Sequence, residues 1–150
     1  MIANRGRKDR LQKFNYIHYG EPIKNFLEIG LGTNNVKLAS NMGEDGTPLA
    51  SLRAWRDYFE NANIYGADID RNILKNEQRI KTFFVDQTNP ATINSLFDEI
   101  GINNFDVILE DGLHEYSANI CFFENSIKFG IAVGLAYQSP PPLYFNTATS

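Results

Sequence analysis

The chain has 150 residues, of which 43% are apolar and 13% are aromatic, enough for one globular core and too few for two comfortable domains. Its 18 acidic and 14 basic side chains give a net charge of −4, so we expect no nucleic-acid partner and no membrane partner. No apolar run approaches the roughly 20 residues of a membrane span, and the first ten residues, MIANRGRKDR, lack the apolar stretch of a secretory signal. The single Cys121 cannot form an intrachain disulfide, which favours a cytoplasmic location. Whether the chain forms a homo-oligomer is left open.

Short apolar segments alternate with segments of helical character along the chain. Strands are predicted over residues 24–29, 63–67, 81–85 and 105–109, because each run is short and bounded by glycine or polar residues. Helices are predicted over residues 51–61, with Ser51 as N-cap, and over 71–79, 91–100 and 115–128. Residues 36–51 are predicted to form a loop that precedes the first helix. The alternation favours an α/β fold: a Rossmann-like, doubly wound, mainly parallel sheet.

In the last predicted helix, Ile120, Phe123 and Ile127 fall on one face, and aromatic residues at helical spacing are expected to lie in the core. Residues 129–150 then contain no charged side chain. Residues 131–137 are the candidate for a fifth strand, and Pro140, Pro141 and Pro142 require an extended conformation beyond it. We therefore divide the chain into a basic N-terminal segment (residues 1–20), a Rossmann-like domain (residues 21–128) and an uncharged divergent tail (residues 129–150).

Glycines or polar side chains follow each of the four predicted strands. Ligands of doubly wound sheets bind beyond the carboxyl ends of the strands, so these positions form the candidate site. In chain order they are Glu28, Gly30 and Gly32; Asp68 and Asp70; Asp86 and Gln87; and Glu110, Asp111 and His114. The glycine pattern lacks both a P-loop and the third glycine of the dinucleotide fingerprint, and several acids would repel a pyrophosphate. A cofactor with adenosine and no phosphate, such as S-adenosylmethionine, is favoured over a nicotinamide dinucleotide.

Each position also has a purely structural interpretation. Gly30 and Gly32 are typical of a tight turn, and one of Asp68 and Asp70 is expected to cap the next helix. Asp86 and Gln87 can start a turn. A lone histidine such as His114 is usually structural or at the surface.

Several segments carry a family resemblance. FLEIGLG (residues 26–32), IYGADID (residues 64–70) and FFVDQTNP (residues 83–90) resemble motifs I, II and III of class I S-adenosylmethionine-dependent methyltransferases. SLRAWRDYF (residues 51–59), VDQT (residues 85–88) and EDGLH (residues 110–114) together resemble the metal-dependent sugar O-methyltransferases of the macrocin and mycinamicin type. The resemblance covers roughly residues 26–128, with its motifs in the expected order.

This resemblance implies an enzyme that transfers the methyl group of S-adenosylmethionine to a hydroxyl of a sugar or glycosylated small molecule. The implied cofactor contacts are Glu28, Gly30 and Gly32 to the methionine part, Asp68 or else Asp70 to the ribose, and Asp86 and Gln87 to the adenine. Residues 35–51 are implied to lie near the acceptor.

The resemblance further implies that Asp111 is a ligand of a divalent cation, Mg²⁺, and that His114 is the general base. The family supplies additional metal carboxylates after its fifth strand, whereas no acidic residue follows Glu124 here. The sequence therefore predicts half of a metal site and a domain truncated at its C-terminal strands. The alternative is a catalytically silent methyltransferase-like module that binds only the cofactor or a partner.

Overall fold

Five parallel strands form one sheet in the computed structural model, which describes residues 22–134 and the side chains of residues 22–130. The strands are β1 (Asn25–Ile29), β2 (Asn63–Asp68), β3 (Ile80–Phe84), β4 (Phe105–Glu110) and β5 (Gly130–Gly134). Their order is β3-β2-β1-β4-β5, and all pairings are parallel. Such an order is typical of doubly wound folds, so the predicted fold class is confirmed.

Three α-helices connect these strands: α1 (Ala50–Tyr58), α2 (Pro90–Ile100) and α3 (Tyr116–Ser126). Helix α2 begins where its sequence predicts, because the Asn89 side chain accepts a hydrogen bond from the Ala91 backbone N–H and Pro90 occupies the first turn. Helix α1 differs from the prediction at its start. Its N-cap is Leu49, in a left-handed conformation with no side-chain cap, and Ser51 lies within the first turn.

Helices cover both faces of the sheet. Alternate side chains of β1 point to opposite faces, so Phe26 packs with Leu52 of α1, whereas Leu27 packs with Phe97 of α2 and Phe122 of α3. Both faces are therefore closed by apolar packing, and the carboxyl edge of the sheet is left for a ligand.

The helix predicted over residues 71–79 is wrong. Only a single 3₁₀ turn, Arg71–Ile73, forms there. Asp70 caps this turn by accepting from the Asn72 N–H at 3.0 Å. Beyond it, the backbone of Glu77 exchanges two hydrogen bonds with that of Ile80, both at 3.0 Å. The chain therefore turns back into β3 where a helix would have continued.

The expectation that aromatic residues at helical spacing lie in the core is wrong for Phe123, and its whole face of the helix is exposed. Ile120, Phe123 and Ile127 are exposed by 37%, 45% and 52%, whereas Ala118, Phe122 and Ser126 are buried. Both sets recur at helical spacing, so the apolar period alone does not decide how α3 is rotated. The two small residues of the buried set let the helix approach its neighbours closely.

Strand β5 continues the sheet past residue 128, and its partner is β4. The fifth strand proposed over residues 131–137 is thus present as far as Gly134. Residues 135–137, the rest of the uncharged tail and the basic N-terminal segment lie outside the described residues. Within residues 22–134, no helix has the length and hydrophobicity needed to cross a membrane.

Candidate functional site

A cavity of about 520 Å³ opens at the carboxyl ends of β1 to β4. This volume is typical of small-molecule sites. All of the candidate residues line it except Asp70 and Glu110. The candidates in its wall are Glu28, Gly30, Gly32, Asp68, Asp86, Gln87, Asp111 and His114. The structure therefore brings together side chains that are widely dispersed in the sequence.

The chain after β1 turns at two glycines with positive φ, 90° at Gly30 and 72° at Gly32. A Cβ atom at Gly30 would collide with the backbone carbonyl of Asp111, and one at Gly32 would collide with the Met42 side chain. Only glycine fits both the backbone angle and the close approach. The loop after β1 consequently lies directly against the loop after β4, and both border the cavity.

The two aspartates after β2 have different surroundings. Asp68 is buried in the cavity wall, where its carboxylate accepts hydrogen bonds from the Leu31 and Asp70 backbone N–H groups at 2.7 and 2.8 Å. Burial raises the pKa of Asp68, and those backbone hydrogen bonds act against the rise. Asp70 accepts from the Thr33 hydroxyl at 2.6 Å and caps the 3₁₀ turn. The hydrogen bond from Thr33 is the main reason why the pKa of Asp70 is lowered.

Glu28 is a nearly fully buried carboxyl group in the cavity wall, exposed by only 2%. Burial raises its pKa to about 7; the nearby Ser51 hydroxyl opposes that rise, and the charge of Asp111 adds to it. Its Oε2 atom has no hydrogen-bond partner among the residues that the structure describes. Such an oxygen is costly to bury without a partner, so this position favours a ligand with a positive charge or a hydrogen-bond donor.

After β3, Asp86 and Gln87 have distinct contacts. One oxygen of Asp86 accepts hydrogen bonds from the backbone N–H and the hydroxyl of Thr88, at 2.9 and 2.6 Å. The Gln87 amide donates to Glu110 at 2.9 Å and accepts from the Leu113 backbone N–H at 2.7 Å. Asp86 thus starts a turn, and Gln87 joins the loop after β3 to the loop after β4.

Asp111 and His114 lie together at the rim, with 3.5 Å between Asp111 Oδ1 and His114 Nε2. Burial is the largest cause of the raised pKa of Asp111, and His114 acts in the opposite direction. Among residues 22–130, no group of three or more histidine, cysteine or acidic side chains is arranged to hold a metal ion. The described part of the chain therefore does not form a complete metal site at this place.

Other residues that line the same cavity include Ser40, Met42, Ile69 and Leu113. Ser40 and Met42 belong to the segment that the resemblance places near the acceptor, but neither was named individually. Ile69 carries a detectable signal, since an apolar residue stands between two aspartates directly after a strand. The others lie in loops without periodicity, and only the fold brings them to the site.

Comparison with known proteins points to one kind of enzyme. The chain is 39% identical over 64 residues to 8-demethyl-8-alpha-L-rhamnosyl tetracenomycin-C 2'-O-methyltransferase of Streptomyces olivaceus and, over the same length, to demethylmacrocin O-methyltransferase of Streptomyces fradiae. Each match covers 43% of this chain and 16% of the relative. This chain is similar to sugar O-methyltransferases. The predicted resemblance is thereby confirmed, although the chain spans only about a sixth of the length of these relatives. No protein-family model matches it.

Solved structures agree on the fold. The MycE methyltransferase from the mycinamycin biosynthetic pathway, solved in complex with Mg and SAH, superposes with a TM-score of 0.62 at 22% identity, covering 86% of this chain and 33% of that one. A short chain dehydrogenase family protein from Francisella tularensis reaches 0.51 at 14% identity, covering 75% of this chain and 50% of that one. Both likenesses show the Rossmann-like architecture, and neither assigns a ligand to this chain.

Proposed function

We propose that this chain carries the S-adenosylmethionine site of an O-methyltransferase that acts on a hydroxyl group of a sugar or glycosylated small molecule. The observation that carries the proposal is the buried Glu28 carboxyl group with its unpartnered oxygen in the cavity wall. The methionine part of this cofactor bears an ammonium and a sulfonium group, which suit such a carboxylate. The enzymes named above support the choice of reaction.

The cavity suggests a position for each part of the cofactor. The methionine part lies against Glu28, Gly30 and Gly32, where the backbone permits close approach. The ribose lies against Asp68, whose carboxylate oxygens can each accept further hydrogen bonds. Asp70 is a poor choice for the ribose, because its carboxylate is used by Thr33 and by the 3₁₀ cap.

The adenine end of the cofactor is assigned to the loop after β3. Asp86 has an oxygen outside the turn with Thr88, and Gln87 keeps a second amide N–H. Both side chains line the cavity. The Asp86 carboxylate can accept from the adenine amino group, and the Gln87 amide can donate to a ring nitrogen. The acceptor is assigned to the side of the cavity formed by residues 38–42.

His114 is the proposed general base. A neutral imidazole removes the proton of the acceptor hydroxyl as its oxygen attacks the methyl carbon. The carbon–sulfur bond breaks, the electron pair stays on sulfur, and S-adenosylhomocysteine leaves. Asp111, 3.5 Å from the imidazole, stabilises the protonated ring that results.

Mg²⁺ is expected from the resemblance, with Asp111 as a ligand. Among residues 22–130, no three histidine, cysteine or acidic side chains are arranged to hold a metal ion, so these residues do not by themselves complete the octahedral shell of oxygens that Mg²⁺ requires.

Isothermal titration with S-adenosylhomocysteine tests the cofactor assignment. We expect saturable binding to the full chain, at least tenfold weaker binding to Asp68→Ala, and no binding of NADH. A folded chain that gives no heat with S-adenosylhomocysteine, or that binds NADH instead, would sink the proposal.

One observation favours a second candidate function, a silent cofactor-binding module: residues 22–130 contain no group of three or more side chains arranged to hold a metal ion. A methyl-transfer assay with labelled cofactor, Mg²⁺ and sugar-bearing acceptors separates the two. Turnover that His114→Ala abolishes identifies the enzyme. Cofactor binding without turnover identifies the silent module.

A further inference from the structure

The peptide groups of Leu113 are held from both sides of the cavity. The Leu113 N–H donates to Gln87 Oε1 at 2.7 Å, and its carbonyl accepts from the Ser40 hydroxyl at 2.9 Å. Gln87 belongs to the loop after β3, and Ser40 to the loop after β1. Leu113 directly precedes His114, so two different loops fix the backbone that carries this imidazole.

Gln87 is itself fixed by Glu110. Its Nε2 donates to Glu110 Oε1 at 2.9 Å, and the same oxygen accepts from the Gly112 N–H at 2.9 Å. Both side chains are buried, with exposures of 7% for Gln87 and 6% for Glu110. A Cβ atom on Gly112 would collide with Gln87 Oε1. We call Gln87, Glu110 and the backbone N–H groups of Gly112 and Leu113 the amide clamp.

The clamp explains an unusual backbone conformation. His114 has φ 58°, in the left-handed region that costs an L-residue free energy and that a free loop would leave. Hydrogen bonds to the two residues before it hold the chain in this turn. This backbone conformation also places His114 Nε2 3.5 Å from Asp111 Oδ1.

We propose that Gln87 is a positioning residue, which sets the orientation of His114 through the amide clamp. The inference deepens the proposed function, since it assumes that His114 is the base. It also predicts communication between the two ends of the site, because Gln87 borders the proposed adenine position while its amide holds the loop of the proposed base.

The clamp can be broken by one substitution and kept by another. Gln87→Leu removes its donor and acceptor together. Glu110→Gln keeps the clamp, because the amide oxygen at position 110 takes the place of the carboxylate oxygen that accepts from both Gln87 Nε2 and the Gly112 N–H.

The test is NMR of the full chain without cofactor at a fixed pH. The measured quantities are the His114 ring signals, assigned by their loss in His114→Gln, and the hydrogen exchange of the Leu113 amide. We expect Gln87→Leu to shift the ring signals and to speed Leu113 exchange about tenfold or more. Glu110→Gln should resemble the wild type. Ser40→Ala should shift the ring signals in the same direction by a smaller amount.

A purely structural role would lower the melting temperature of Gln87→Leu while its His114 ring signals stay in place, and that result overturns the inference. So does a Glu110→Gln variant whose ring signals shift as far as those of Gln87→Leu. If Gln87→Leu fails to fold, Gln87→Met decides the question, because it keeps the length of the side chain and loses the same two hydrogen bonds. None of these signals depends on cofactor binding, so a failed titration with S-adenosylhomocysteine would reject the proposed function and leave this measurement standing.

Discussion

The carboxylate of Asp68 accepts a hydrogen bond from the backbone N–H of Leu31 at 2.7 Å, although the two residues are 37 positions apart in the sequence. This contact ties the loop after β1 to the end of β2. The same carboxylate lines the cavity, so Asp68 both stabilises the loop after β1 and can accept hydrogen bonds from a ligand. Asp70, two residues later, has structural contacts alone.

Asp68→Ala and Asp70→Ala should therefore separate binding from folding. Each substitution strands hydrogen-bond donors that are wholly or partly buried and should lower the free energy of unfolding by about 1–3 kcal/mol. Affinity for S-adenosylhomocysteine should fall at least tenfold in Asp68→Ala and no more than about threefold in Asp70→Ala. Urea unfolding and isothermal titration measure the two quantities. Equal losses of affinity in the two variants would contradict the assignment of the ribose contact to Asp68 rather than Asp70.

Glu28 should make stability depend on pH. Its pKa is about 7 in the folded chain against an ordinary 4.5, chiefly because of burial. Between these values the unfolded chain has released the proton while the folded chain still holds it, so the free energy of unfolding falls as pH rises. At 1.36 kcal/mol per unit the loss is about 3 kcal/mol by pH 7 and levels off above it. Urea unfolding at pH 5, 6 and 8 should show this slope in the wild type and a reduced slope in Glu28→Gln.

The same group should give ligand binding the opposite pH dependence. A cationic ligand prefers the ionised carboxylate, so the affinity for S-adenosylhomocysteine, through its ammonium group, should rise between pH 6 and pH 8. In Glu28→Gln the affinity should be lower at pH 8 and should rise less. Parallel pH profiles in the two proteins would remove Glu28 from the binding site.

Two glycines with similar φ angles distinguish strain from collision. Gly30 and Gly101 have φ of 90° and 74°, but a Cβ would meet the Asp111 carbonyl at Gly30 and nothing within 4 Å at Gly101. Gly101→Ala should cost about 1–2 kcal/mol from the backbone angle alone. Gly30→Ala should cost more in urea unfolding and should also abolish cofactor binding, because the loop after β4 must move. Equal costs would mean that the two loops separate freely.

The fold was predictable from sequence because it follows from alternation. Short apolar runs separated by helical segments permit few arrangements other than a parallel sheet, and parallel strands place their ends at one edge. That is why residues as distant as Glu28 and His114 could be grouped before the structure was known.

The features that could not be predicted from sequence depend on contacts between distant residues or on competition between alternative local hydrogen bonds. Asp68 and Asp70 are the same residue type, and only the path of the chain decides which one faces the cavity. The clamp joins Gln87 to Glu110 across 23 positions. Each lies in one of the motifs VDQT and EDGLH, but neither motif indicates that the two side chains bind each other. Residues 71–79 have helical composition, yet the backbone of Glu77 pairs with that of Ile80 instead.

The rotation of α3 is tested by two adjacent phenylalanines. Phe122 is exposed by 1% and Phe123 by 45%. The two residues are of the same type and lie in the same helix, so they differ mainly in burial. Phe122→Ala should lower the free energy of unfolding by about 3–5 kcal/mol, since it leaves a cavity in the core. Phe123→Ala should cost about 1 kcal/mol or less, because its ring already contacts solvent. Urea unfolding of both variants measures the difference. If Phe123→Ala proves the costlier change, the face with Ile120 and Ile127 is the packed one, and the apolar period of the sequence predicts the helix correctly.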